Sequence, residues 1–344
     1  MASMTSTREP YLASGTTGPF TQREWSVEEW TNQPWWPIAQ YSEYCMMGPM
    51  AAREFVAQRL LTIPEGARIP TTGALAEAAG VGVGTVHQAL TALREMGAVE
   101  LTARGHLGTT LVSRDLPGLW AASGIGAVVG ALPLPQSLEF EGLATALTEE
   151  FENAGIPLQL VFRQGGTRRV ALLDAARADF IALSTVAAAR LDRTRVEVMS
   201  LPKYTFYGEG SLVVIERAAR HRKRPRRVAI DSSSYDHTML TKAEFPHAQY
   251  VDVHYIRIPQ VVAQGEVDAA VWHTTSSSPL LAAVELQITP LARPSPDDGE
   301  MSCAALIWPA QAPAIRAVLG ELIDIARLVR LQRQVIDGEK VPSF

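Results

Sequence analysis

Residues Arg68 to Val112 read RIPTTGALAEAAGVGVGTVHQALTALREMGAVELTARGHLGTTLV. Thr71 or Thr72 has the side chain to cap a short helix whose inner face carries Leu75, Ala76 and Ala79. Gly80 to Gly82 supply a tight turn. From about Gly84 to Met96, Val86, Ala89, Leu90 and Leu93 recur at i, i+3, i+4 and i+7, the stripe of a second helix lying on a core. Gly97 ends that helix. Val99–Thr102 and Thr109–Val112 then read as two short strands closing a hairpin. Upstream, about Pro49–Thr62, Ala52, Phe55, Val56, Leu60 and Ile63 stand at helical spacing. Three helices followed by a hairpin predict a winged helix-turn-helix, a module that lays its last helix in the DNA major groove.

That reading assigns faces. With the apolar stripe turned inward, Thr85, His87, Gln88, Thr91 and Arg94 fall on the outer side of the recognition helix. Gln pairs with an adenine edge in two hydrogen bonds, and Thr meets phosphate or a thymine methyl. Thr71 at the preceding helix start, with Arg104 and His106 at the hairpin tip, complete the expected DNA contacts; a basic tip suits phosphate or the minor groove. Residues 46–115 hold six Arg against six acidic residues, so the head is about neutral. Phosphate contacts dominate affinity for DNA, so such a head is expected to bind weakly or to depend on dimerisation.

The segments RIPTTGALAEAAGV, TVHQALTALREMGAVE and RGHLGT resemble the GntR-type winged helix in register. That family usually begins its recognition helix with a Ser–Arg pair; Gly82 and Val83 stand there instead, removing a hydroxyl cap and a phosphate-binding charge.

Outside this head, residues 1–45 form a Trp-rich extension with Trp25, Trp30, Trp35 and Trp36, expected either to pack on the body or to anchor a partner. Residues 116–124, LPGLWAASG, read as a linker. From there strand and helix patterns alternate: GIGAVVGAL, then the helix SLEFEGLATALTEEFENAG, the strand IPLQLVF, the helix TRRVALLDAARA, and the strands DFIALS and VEVMSL. SLVVIE, RRVAID, YVDVHYI and VDAAVW are further strands, and QAPAIRAVLGELIDIARLVRLQRQV reads as one long final helix. This alternation predicts an α/β body with largely parallel sheets.

The order of elements in the body resembles the type 2 periplasmic-binding-protein fold, two α/β lobes with a cleft between them. GIGAVVGALPLPQSLEFEGLATALTEEF, ARADFIALS, RRVAIDSSSYDHTMLTKAEFP and VVAQGEVDAAVWH, with RGHLGT upstream, are similar to the YhfZ family of transcriptional regulators over roughly residues 48–335. The resemblance implies an α/β chain with a winged helix at 46–115, a linker at 116–124 and a two-lobed ligand-sensing body at 125–338. Lobe one takes about 125–208 and 290–338, and lobe two about 209–289.

In such a fold ligands meet the loops at the C-terminal ends of strands. This selects Pro135, Ser137 and Glu139 after the first strand, Gln164 and Thr167 after the second, and Ser184 after the third. In lobe two it selects Asp231, Ser232, Ser233, Ser234 and His237, where a helix opens after RRVAI, and His273 at the end of VDAAVW. Free backbone N–H groups and hydroxyls there suit a small anionic or zwitterionic metabolite.

Other chemistry is not called for. The histidines at 221, 237, 247, 254 and 273 lack metal-ligand spacing, so no metal and no cofactor is expected. No G-x-S-x-G or phosphate-loop motif occurs, and Cys303 in SCAALIW reads as a buried thiol. The seven basic residues from Arg217 to Arg227 read as a solvated turn or a second contact for DNA or an acidic partner. A net charge of −5 argues against a general nucleic-acid coat. Two cysteines, no apolar run of membrane-spanning length and no leader pattern fit a cytoplasmic protein without a membrane partner. The expectation is a homodimer or higher homo-oligomer that binds a double-stranded DNA operator and a small-molecule effector and is not an enzyme. The alternative is an enzyme or binding subunit whose cleft would use Asp231, Asp236 and His237, the winged helix then serving assembly.

Overall fold

The computed structural model describes residues 49–217, 225–274, 286–293 and 298–344; the Trp-rich extension and most of the 217–227 basic cluster lie outside them. The head comprises α1 (Pro49–Leu61), α2 (Thr72–Ala79), α3 (Val83–Glu95), β1 (Val99–Ala103) and β2 (Thr109–Arg114). Thr71 is the cap chosen for α2: its Oγ1 accepts the Ala74 N–H at 3.1 Å. Gly80 ends α2 at φ +66, a conformation that costs glycine little. Val86, Ala89 and Leu93 of α3 are buried as the spacing predicts, with Leu90 half-buried. β1 and β2 pair antiparallel, and Arg68 bridges to Thr110 beside them.

The expected linker is instead a helix. Asp115 caps it by accepting the Gly118 N–H at 3.1 Å, and α4 (Leu116–Ala122) follows. Its Pro117 sits where a helix tolerates proline, in the first turn. Leu119 and Trp120 are buried, and the Trp120 indole donates to Gly126 O at 2.7 Å. Reading Pro and Gly as a break missed this cap and the apolar pair behind it.

The body follows as β3 (Val128–Leu132), α5 (Leu138–Asn153), β4 (Leu158–Phe162), α6 (Gly166–Asp174), β5 (Phe180–Ser184), α7 (Thr185–Ala188) and β6 (Val196–Ser200). Next come β7 (Leu212–Arg217), β8 (Arg227–Ile230), α8 (Tyr235–Glu244), β9 (Gln249–Asp252), α9 (Ile258–Gln264), β10 (Ala269–His273) and β11 (Leu286–Pro290). The chain closes with α10 (Asp298–Met301), β12 (Ala304–Pro309), α11 (Pro313–Leu322) and α12 (Ile325–Ile336).

Two five-stranded sheets result, ordered β4-β3-β5-β12-β6 and β9-β8-β10-β7-β11. Both obey one rule. The three strands led by β3 or β8 are parallel. The fourth runs antiparallel to both neighbours. In each sheet that fourth strand, β12 or β7, has just arrived from the other sheet. Two crossovers, at 201–211 and 291–303, therefore join the lobes, as in the type 2 periplasmic-binding-protein-like fold.

Three sequence expectations differ in detail. The final helix is two, because at Ile323 and Asp324 the backbone is extended and the Asp324 carboxylate accepts the N–H groups of Ala326 and Arg327. An Asp gains more as a cap than as a helix interior residue. YVDVHYI is a strand only to Asp252; a 3-10 turn takes Tyr255–Arg257. Cys303 precedes β12 and is half-buried, its thiol pKa raised by burial. Among the described residues no helix is long and apolar enough to cross a membrane.

One apolar core runs from the head into lobe one. Val56, Leu60 and Leu61 of α1 belong to the same buried cluster as Leu119 and Trp120 of α4, Leu143 and Leu147 of α5, and Ile315 and Leu319 of α11. Gln58 donates to Ser123 O at 2.8 Å, and Arg114 pairs with Glu321 across the same junction. The largest core of lobe two, around Ile215, Val262 and Trp272, is separate. Removing the shared indole by Trp120→Ala is expected to cost about 3–5 kcal/mol. Urea unfolding followed by circular dichroism checks this, with loss of head and lobe-one structure in one transition as the expected form.

Candidate ligand cleft and DNA-facing head

The cleft lies where the strand ends of the two sheets face each other. From lobe one, Ser137, Gln164 and Ser184 line it, and from lobe two Ser234, His237 and His273 do. Pro135, Glu139, Thr167, Asp231, Ser232 and Ser233 do not line it directly. Four of these serve its edges. Thr167 donates from both its N–H and its hydroxyl to Ser233 O, each at 3.1 Å, joining the lobes at the rim. Glu139 Oε2 stands 3.5 Å from His273 Nε2, again lobe to lobe. Asp231 accepts the Ser233 N–H at 3.0 Å and hydroxyl at 2.6 Å, shaping the loop before α8. Ser232 is exposed and donates its N–H to Asp252 at 3.0 Å.

The serines act mainly as helix caps. Ser137 accepts the Phe140 N–H at 3.3 Å and Ser234 the His237 N–H at 3.3 Å. Ser184 does more: its Oγ accepts the Ala187 N–H at 3.0 Å and donates to Asp236 Oδ1 at 2.8 Å across the cleft. Tyr207, on the first crossover, donates to the other oxygen of Asp236 at 3.4 Å. Asp236 is buried, and burial raises its pKa to about 6 against the opposing pull of Ser184, Arg169 and Tyr207. Burial together with Asp236 pushes the Tyr207 phenol up, so it stays a donor.

His237 is a structural member of the wall. Its Nδ1 accepts the Asp231 N–H at 3.0 Å, which places the proton on Nε2, 3.1 Å from Val271 O. Burial lowers the His237 pKa, and burial takes that of His273 down to about 4 against the opposing Glu139 charge, so both rings are neutral at pH 7.

The sequence reading missed Arg169, the buried cation of the cleft wall. It lies on α6, 5% exposed, with Nε donating to Ala182 O at 2.9 Å and Nη1 to Arg163 O at 2.7 Å. Burial lowers its pKa to about 10, so it remains charged. The signal was available: Arg169 stands four residues before Leu173, on the buried face of its helix. Phe140, Tyr207 and Tyr255 were also outside the selected set and supply aromatic walls, with Tyr255 stacked at 4.4 Å on Trp272, a strand-end residue that the sequence does place at the cleft.

On the head, His87, Gln88 and Arg94 are exposed along α3, while Thr85 and Thr91 are half-buried. Thr71 is exposed beside them, and Arg104 and His106 are exposed at the hairpin tip. Gly82 caps α3 without a side-chain bond, leaving the first turn open. Arg68 was not selected from sequence; its guanidinium lies over Gly108, where a Cβ would collide with it, and adds a second cation to the wing.

A winged helix-turn-helix fused to a two-lobed, cleft-bearing α/β body defines the class. The family description YhfZ C-terminal domain matches residues 115–344, and a helix-turn-helix domain matches residues 64–111. The chain therefore belongs to the YhfZ family. It is 29% identical to the YhfZ protein of Escherichia coli strain K12 over 293 residues, covering 84% of this chain and 95% of that one. The crystal structure of YhfZ from Shigella flexneri superposes with a TM-score of 0.53 at 28% identity, covering 67% of this chain and 98% of that one.

The raised pKa of Asp236 has a pH consequence. Its folded value lies above its unfolded one, so its contribution to stability is full below about pH 4 and is lost as pH rises through about 6. Asp236→Asn removes that loss. Relative to the unsubstituted protein, the variant is expected to gain stability between pH 4 and 7, by up to about 3 kcal/mol. Denaturant midpoints of both proteins across that range measure the difference and cancel the opposite trend of His273.

Proposed function

We propose that this chain is a ligand-responsive transcriptional regulator. It binds a double-stranded DNA operator through its winged helix, senses a small molecule in the interlobe cleft, and acts in the cytoplasm as a homodimer or higher homo-oligomer. The observation that carries this reading is the unequal coupling of the three parts. Head and lobe one share one core, whereas lobe two meets lobe one across the cleft through polar bonds such as Ser184–Asp236 and Thr167–Ser233, with a small apolar seam at Val186, Leu240 and Val271. One rigid unit thus carries the DNA face, and a second can open and close against it.

A ligand that favours the closed state shifts the equilibrium only by its differential affinity for the two states. Closure moves lobe two relative to the head. In an oligomer whose contacts include lobe two, that movement changes the spacing of the heads and hence their fit to two half-sites. The near-neutral DNA face fits such a design, because a single head without much phosphate attraction depends on its partner for affinity.

A mobility-shift titration on the DNA upstream of the protein's own coding sequence, over a salt series, tests the reading. Gln88→Ala is expected to cost about 1–3 kcal/mol of specific binding. Arg104→Ala is expected to weaken binding to all sequences and to lower the salt slope by about 1. Binding no stronger than to unrelated DNA at low salt would refute the regulator reading.

A further inference from the structure

We propose that the cleft takes an amino-acid-like zwitterion, a small ligand bearing both an ammonium and a carboxylate, rather than a purely anionic metabolite. The proposal rests on the sensing reading above and narrows its ligand.

Glu139, Asp231 and Asp236 are 2%, 4% and 4% exposed around the cleft, and Arg169, at 5%, is the buried cation facing them. His237 and His273 are neutral and contribute no charge. Asp231 Oδ2 is buried with no hydrogen-bond partner among the described residues. Arg169 spends Nε and Nη1 on main-chain carbonyls and forms no ion pair among the described residues. Asp236 lines the cleft with Glu139 and Asp231 buried just behind it, so among the described residues the surroundings of the wall are acidic on balance, and the Arg169 guanidinium retains donor capacity.

A ligand carrying only negative charge would add to an excess of buried carboxylate, with no buried cation beside Arg169 among the described cleft residues to offset it. Burying uncompensated charge of one sign costs several kcal/mol per ion. An ammonium reverses that cost and supplies donors that carboxylates accept. A carboxylate on the same ligand suits the guanidinium fork of Arg169. Phe140 and Tyr207 line the same cleft, and an aromatic ring attracts an ammonium that meets its face. The Ser184–Asp236 and Thr167–Ser233 bonds draw the walls together and limit the ligand to a few heavy atoms.

Matched ligands test this on the full-length protein by thermal shift and calorimetric titration. The set is the common amino acids, the 2-hydroxy acids of the same skeletons, the corresponding simple amines, and inorganic phosphate. At least one amino acid is expected to raise the melting temperature and to bind about tenfold or more tightly than its hydroxy acid and its amine. Glu139→Gln and Asp236→Asn, which keep shape and remove charge, are expected to shrink the preference over the hydroxy acid. If either variant fails to fold, the comparison on the unsubstituted protein decides alone. A hydroxy acid, phosphate or plain amine binding as tightly as any amino acid overturns the zwitterion and leaves ligand sensing standing. If no compound raises the melting temperature, the sensing reading falls and this inference falls with it.

Discussion

In each sheet of the body one strand, antiparallel to both its neighbours, is entered by a crossover from the other lobe. β7 enters lobe two between β10 and β11, and β12 returns to lobe one between β5 and β6, both antiparallel to their neighbours. Lobe two builds its sheet from the continuous run β7–β11, whereas lobe one lacks β12 until the chain returns from lobe two. The crossovers, from β6 to β7 and from β11 to β12, are thereby fixed at both ends in hydrogen-bonded ladders. The cleft is the space left between two strand-end surfaces held at this separation.

Much of this could be read from the sequence where the physics is local. The 3.6-residue stripe through Val86, Ala89 and Leu93 fixed α3, and the hydroxyl at Thr71 fixed the start of α2. Strand-end loops were located because a strand-to-helix junction advertises itself: Ser137, Ser184 and Ser234 all proved to be helix caps lining the cleft. What stayed hidden was decided by distant chain. Trp120 looked like part of a linker because its partners, Leu60 and Ile315 among them, lie far away in sequence. The helical spacing of Arg169 to Leu173 pointed to its burial, but not to its partners, because the carbonyls that hold it belong to Ala182 on a neighbouring strand and Arg163 in a loop. Tyr207 could not be placed before the crossover path was known.

The cleft also shows a conflict between stability and use. A carboxylate pushed to about pH 6 by burial, a histidine pushed to about 4 and a buried Asp231 oxygen without a hydrogen-bond partner among the described residues are all costs to the fold. They are gathered at one seam while the sheet interiors are apolar. Local departures from an otherwise consistent design are where function is stored.

The continuous core between head and lobe one bears on how such proteins diversify. The two family matches meet between residues 111 and 115, a seam in ancestry, yet apolar packing passes straight through it. A head exchanged by recombination at that seam would arrive with the wrong face toward Trp120 and Ile315. Winged helix and body are packed as one unit across the boundary between their two family matches.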